Sequence, residues 1–259
     1  MPFTLTKMSR APGWTRTDLL ADIATMAAGF GWTLHDSYNS VGNEIRVYRY
    51  AVNGTAKGTT YMLISIPSVI AGGTITTAVY DTWNAGTHVG TTQVSTMGMS
   101  LTPSSQLNIF GFNSTGGEGQ FIILESEHSR YSYGWIRPQT KHPAYDEATY
   151  RFIFSPSTAT LNTLVASASL EGSNAYSISA TVTSVSGATY DGGYRQVTGC
   201  KWLYRNSSTC GVIGWFSDDW AEITSSGLQF GDIVRDEATK VNRYFVVSVS
   251  GGSLALRLV

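Results

Sequence analysis

The sequence predicts a mainly β protein, with antiparallel sheets in a sandwich-like arrangement and one N-terminal α-helix packed on the first sheet. Three observations carry this. Only Thr17 to Phe30 repeats its apolar residues at helical spacing. Beyond Trp32, short runs of β-branched and aromatic residues alternate with turn residues, the pattern of hairpins and meanders. The closing runs Tyr244 to Val249 and Leu254 to Val259 read as a hairpin joined by Ser250-Gly251-Gly252-Ser253, which stitches the last residues into a sheet.

The helix comes first in order. Thr17 can cap it, with Asp18 in the first turn facing the positive end of the helix dipole. Leu19, Leu20, Ile23, Met26, Ala27 and Phe30 form one apolar stripe, and Gly29 and Gly31 supply a left-handed stop. A helix this short is marginal alone, so the stripe needs a sheet.

Strand-like runs come next at Thr33 to Ser37, Ile45 to Tyr50, Thr60 to Ile66, Thr74 to Tyr80, Leu107 to Phe112 and Phe121 to Glu125. Asn53-Gly54, Gly72-Gly73 and Gly116-Gly117 punctuate them. From His128 to Tyr150 the sequence turns aromatic and loop-like, and Pro138 and Pro143 interrupt any long strand. This change divides the chain into 1–127, a helix with an antiparallel sheet, and 128–259, a loop-rich excursion with a C-terminal β region. One continuous domain is the other arrangement. Ser155 to Ser186 is dominated by Ser, Thr and Ala. Alternation at Tyr176, Ile178, Ala180 and Val182 favours ordered strands over a disordered linker. Strands resume at Gly199 to Tyr204 and Val212 to Phe216. Cys200 and Cys210 flank a hairpin tip at Tyr204 to Ser208, where they could face each other; as reduced, half-buried thiols they suit a cytosolic protein.

Composition narrows the function. Charged residues make up 14% of the 259 residues, well below the ~25% of an average domain, while aromatics reach 12% and there are 27 glycines. The polar surface is therefore rich in hydroxyls, suited to cover by neighbouring proteins or to uncharged glycans. With Lys+Arg 17 against Asp+Glu 18, the chain has no electrostatic footprint for nucleic acid or anionic lipid. No run approaches a membrane span, and the first residues lack the apolar core of a signal peptide, so the expected site of synthesis and residence is the cytoplasm.

Catalytic and metal-binding patterns are not found. There is no His-Glu-x-x-His, no Gly-x-Ser-x-Gly elbow, no phosphate loop and no dinucleotide fingerprint, and His35, His88, His128 and His142 stand far apart. Two cysteines and scattered histidines have no zinc spacing, so neither a metal nor a cofactor is expected. Asp218-Asp219 with Glu222, and Asp232 with Asp236-Glu237, have the residue type of a calcium site or a glycosidase pair, but read better as solvated turns. Three Asn-x-Ser/Thr matches, at Asn53, Asn113 and Asn206, have no meaning as glycosylation sites in a cytoplasmic chain. Tyr131, Tyr133, Trp135 and Tyr145 form an aromatic cluster that suits a protein interface, a sugar platform or the core. Tyr131, Trp135 and Tyr145 are the interface candidates.

Several segments, in order, resemble a group of virion structural proteins of tailed bacteriophages. They are the Asp18-Leu19-Leu20 helix running into Gly31-Trp32-Thr33, the segment Gly58 to Ile66, Val79-Tyr80-Asp81, and Tyr133-Gly134-Trp135-Ile136-Arg137-Pro138. Gly231-Asp232-Ile233-Val234, Arg243 to Val247 and Leu254 to Leu258 resemble the group's closing hairpin, while the Ser/Thr-rich middle has no counterpart. The resemblance implies a non-enzymatic, multi-copy component of the tail, baseplate or neck of a virion. Its partners would be other phage structural proteins and copies of itself, in rings related to a trimer or hexamer. The residues alone also admit a glycan-binding module for attachment to a host surface and, third, a glycoside hydrolase.

Overall fold

The computed structural model describes residues 2–51, 59–80, 82–91, 94–114, 119–127, 129–136, 140–141, 163–164, 175–178, 194–195, 197–199, 201–205, 210–215, 219–223, 227–236, 239, 241–248 and 253–259. The protein is mainly β, with antiparallel sheets in a sandwich-like arrangement and the helix docked between sheets.

The strands of the first half are β1 (Phe3–Arg10), β2 (Thr33–Ser40), β3 (Asn43–Ala51), β4 (Thr59–Pro67), β5 (Thr74–Tyr80), β6 (Thr82–Asn84), β7 (Val89–Thr91), β8 (Val94–Ser100), β9 (Leu107–Ser114), β10 (Gly119–Ser126) and β11 (Ser129–Ile136). A front sheet has the order β2-β3-β4-β5-β8, and β6 with β7 is a separate hairpin. A middle sheet runs β11-β10-β9-β1. The remaining strands are β12 (Thr140–Lys141), β13 (Thr163–Leu164), β14 (Ala175–Ile178), β15 (Tyr194–Arg195), β16 (Val197–Gly199), β17 (Lys201–Arg205), β18 (Cys210–Trp215), β19 (Trp220–Ile223), β20 (Ile233–Asp236), β21 (Arg243–Ser248) and β22 (Ser253–Leu258). Of these, β12, β18, β17, β14 and β13 form their own sheet. The hairpin β21–β22 forms as its sequence predicts, and β22 also pairs with β19.

The helix α1 (Arg16–Gly29) is capped two residues before the expected position. Thr15, not Thr17, accepts the amide of Asp18 at 3.2 Å, and the Asp18 carboxylate accepts the amide of Thr15 at 2.8 Å. This reciprocal box needs an acid three residues after the cap, a spacing Thr15 has and Thr17 lacks. The Thr15 hydrogen bonds hold the Asp18 carboxyl below the usual carboxylate range. At the other end Gly29 is still helical and Gly31 takes the left-handed conformation, φ +76°. The amides of Gly31 and Trp32 then close onto the carbonyls of Ala28 and Ala27 at 3.0 and 2.8 Å.

All six residues of the apolar stripe are buried. They do not face one sheet only: the core around them draws Tyr48, Met62, Ile64 and Val79 from the front sheet and Ile109, Ile122, Leu124 and Tyr131 from the middle sheet. Gly111 on β9 leaves room for Met26 and Phe30 to lie against that strand. Gln120 on β10 accepts from the Trp32 indole at 2.8 Å and donates to the carbonyl of Phe30 at 2.9 Å. Arg10, at the end of β1, grips the buried Asp22 through two hydrogen bonds of 2.8 and 2.7 Å, which push its guanidinium pKa up.

The strand β1 is not evident in the sequence. It carries Lys7 and Arg10, and its first residue, Phe3, is the one buried outright. Pairing selects it instead: all eight residues are in antiparallel register with β9. Against β22 it keeps one parallel pair, Phe3 with Leu258. Such a narrow joint lets the sheet fold over itself. Strands β9 and β21 are three spacings apart, roughly 14 Å if flat, yet the rings of Phe112 and Phe245 lie 5.2 Å apart. A second, aromatic core fills the fold, with Phe3 on Trp220 at 5.5 Å, Phe112 on Phe121 at 5.1 Å and Phe230 on Phe245 at 5.4 Å. The middle sheet is thus buried on both faces.

Two further expectations change. Ser129–Ile136, expected as loop, is a strand paired over its whole length with β10, because both faces of this part of the sheet are covered. Strand β1 shares a sheet with strands β19 to β22. Cys210 is opposite Arg205, and Lys201 is opposite Trp215, so the hairpin register does not set Cys210 against Cys200. Tyr176 and Ile178 lie in β14, in keeping with their alternation, whereas Cys200, Ala180, Val182, Asn53-Gly54 and Gly116-Gly117 are outside the described residues.

Candidate functional site

The outer face of the front sheet, turned away from the helix, holds a cluster of titratable and aromatic side chains that is open to solvent. It begins with a bulge in the edge strand β2. Leu34 is opposite Tyr48 and Asp36 is opposite Val47, so His35 is an extra residue. A bulge re-aims the side chains beyond it. Here it sends Asp36 to the face of Val47, where its carboxylate is buried.

The hairpin β6–β7 crosses that face and brings two donors to Asp36. The indole of Trp83 donates to Oδ2 at 2.7 Å, and Nδ1 of His88 lies 2.9 Å from the same oxygen. Burial opposes ionisation of Asp36, but the hydrogen bonds from His88 and Trp83 outweigh it and hold the carboxyl below its ordinary value. The imidazole of His88 stacks on Tyr38, centroids 3.9 Å apart, while its side chain remains 43% exposed. Its backbone is left-handed, φ 55°. Tyr80 meets Trp83 edge-on at 5.1 Å, and Gly90 lies against both rings where a β-carbon would come within 2.4 Å of Tyr80. His35 meets Tyr61 at 5.0 Å. Burial raises the Tyr38 phenol, helped by Asp36 and Tyr80.

Chemically this is a carboxylate that fixes one imidazole nitrogen, set among half-buried rings. It orients a histidine and offers ring faces and polar tips. Two of the four histidines that stand far apart in sequence, His35 and His88, come to this one face.

The sequence-derived candidates fall elsewhere. Tyr131 is 1% exposed in the helix-bearing core, and its hydroxyl accepts from the Thr77 amide at 2.9 Å and bonds the Thr77 hydroxyl. Tyr133 is as deeply buried and donates to the carbonyl of Met62. Burial raises both phenols well above their ordinary value. These two tyrosines fasten the middle sheet to the front sheet. The backbone of Trp135 is in β11 opposite Gln120; its side chain, and all of Tyr145, lie outside the described residues. Asp219 is buried against Arg257 at 2.7 Å, and Asp232 and Asp236 accept backbone amides in turns at 2.7 and 3.2 Å. Asp219 and Asp236 are therefore buried, not solvated. Asp218, Glu237, His128 and His142 lie outside the described residues.

Among the described residues no three His, Cys, Asp or Glu side chains are placed to hold a metal, and no helix is long and apolar enough to cross a membrane. In comparisons with known proteins, no family model and no curated protein matches the chain.

Proposed function

We propose that this protein is a non-enzymatic structural component of a tailed phage virion, present in several copies in the tail, baseplate or neck. The observation that carries the reading is a charge-poor β body with three sheets stacked around two filled cores, its first strand clipped to its last. Such a body resists deformation and offers little ionic surface to water, as a part enclosed by neighbours must. The ordered likeness of its segments to phage structural proteins supplies the particle. Locating the chain in a reconstruction of intact virions tests this directly. Density for it on a ring of defined symmetry is the expected result, and its absence from purified particles would refute the reading.

A second reading has its own observation. The half-exposed rings of Tyr38, Tyr61, Tyr80 and His88 around Asp36 suit an uncharged glycan, which takes aromatic faces and polar tips together. A glycan array with purified protein would favour it if binding appears and is lost on Tyr38→Ala.

A further inference from the structure

The fold uses only half of the His88 side chain. The residue ends the turn of the β6–β7 hairpin with a left-handed backbone, φ 55°, a conformation that glycine and asparagine adopt more readily. Its Nδ1 lies 2.9 Å from Oδ2 of Asp36, and Tyr38 stacks on one face of the ring at 3.9 Å. An ionised carboxylate can only accept, and the Asp36 carboxyl is held below its ordinary value, so Nδ1 carries the proton and Nε2 of the neutral ring is an acceptor. Nε2 meets no partner among the described residues. With one edge bonded and one face covered, the 43% of the side chain that is exposed is the opposite face and the Nε2 edge.

The rings around it form one continuous surface. Asp36 takes the Trp83 indole on the same oxygen at 2.7 Å, Tyr80 meets Trp83 at 5.1 Å, and Tyr80 is opposite Tyr61, which meets His35 at 5.0 Å. Charge is scarce there. Residues 82–91 include no Asp, Glu, Lys or Arg, and the Asp36 carboxylate is buried. Arg49 stands at the far end, opposite Tyr61. It is four residues along β3 from Ile45, the partner of Tyr38, or roughly 13 Å.

We propose that His88 reads an uncharged sugar on this face: Nε2 accepts one sugar hydroxyl, and the open face of the imidazole takes the sugar's C–H face. A sugar ring offers both features at once, donor hydroxyls on its rim and an apolar face that packs on aromatic rings. A sugar carboxylate is rejected, because it would set a negative charge against an acceptor lone pair and the Asp36 charge behind it, with Arg49 at the opposite end of the face. The inference rests on the glycan reading above and names the contact and the class of sugar.

The test is an array of immobilised oligosaccharides of glucose, galactose, mannose and N-acetylglucosamine, beside the same chains ending in sialic acid, probed with the full-length protein. Wild type should bind a neutral oligosaccharide at least tenfold more tightly than its sialylated form. His88→Asn, which suits the left-handed turn, should weaken that binding at least tenfold. Trp83→Phe removes the other donor to Asp36 and leaves Nε2 in place, so it should weaken binding less than threefold. Equal loss in the two variants would make the docked hairpin, not Nε2, the source of binding and overturn the inference. Unchanged binding by His88→Asn, or equal binding of sialylated chains, would overturn it too and leave the glycan reading to the tyrosines. Binding of wild type to no oligosaccharide would refute the glycan reading and the inference together.

Discussion

The helix and the β6–β7 hairpin are both laid against a sheet, and each presents or meets one buried carboxylate, Asp22 in the first case and Asp36 in the second. They are held very differently. The helix buries six apolar side chains between two sheets, closes its start with the Thr15–Asp18 box and its end with backbone hydrogen bonds, and adds the Arg10–Asp22 pair on top. The hairpin has strands of three residues, one buried tryptophan, and Asp36 receiving both of its donors. A buried carboxylate is thus an accessory where apolar area is large and the main attachment where it is small.

The largest effect should come from striking the helix where its apolar face carries the load. Leu20→Asp puts an unpaired carboxylate into the helix-bearing core, at a cost of several kcal/mol against an ordinary ~5–15 kcal/mol of total stability. Circular dichroism should show loss of the cooperative melt; a wild-type melt would mean that the helix is not docked. Asp22→Ala should cost far less, about 1–2 kcal/mol, because Arg10 is 41% exposed and can turn to water. Chemical denaturation would measure it, and a loss as large as that of Leu20→Asp would make the carboxylate, not the apolar stripe, the helix's main attachment.

Asp36→Ala sharpens the contrast. Global stability should change by less than about 1 kcal/mol, since little apolar area depends on the contact, while amide exchange over residues 82–91 should quicken and that of β3 and β4 should not. Uniform quickening across the front sheet would show instead that the hairpin is integral to it. The smallest effect is set by pH. The folded Asp36 carboxyl lies below its unfolded value, so its contribution is complete above the ordinary aspartate pKa of about 3.9 and is lost as pH falls through the depressed folded value. Exchange over 82–91 in the wild type should therefore rise on acidification, and in Asp36→Ala it should lack that step.

Much of this fold is legible without coordinates. The apolar stripe of α1, six strands of the first half and the closing hairpin are set by local periodicity and turn residues, which act within a few positions of themselves. The cap falls two residues from its expected place because the two threonines differ only in what stands three places later. Tyr131 shows the limit most clearly. An aromatic residue near prolines reads equally as interface or core, and only the covering of both faces of the middle sheet makes it a fastening between sheets.

What the sequence determined by itself is the β class, the helix α1, its buried face and a composition poor in charge, since each comes from residue type and short-range spacing. The tertiary structure alone decided three things. It recruited β1, whose own pattern is weak, by pairing it with β9 some hundred residues away. It folded one continuous sheet into two layers at the single Phe3–Leu258 pair. It gathered Asp36, Trp83 and His88, about fifty residues apart, through a one-residue bulge in β2. Each depends on which distant backbone becomes a neighbour, and that is fixed by the sum of many weak contacts, not by any local run of residues.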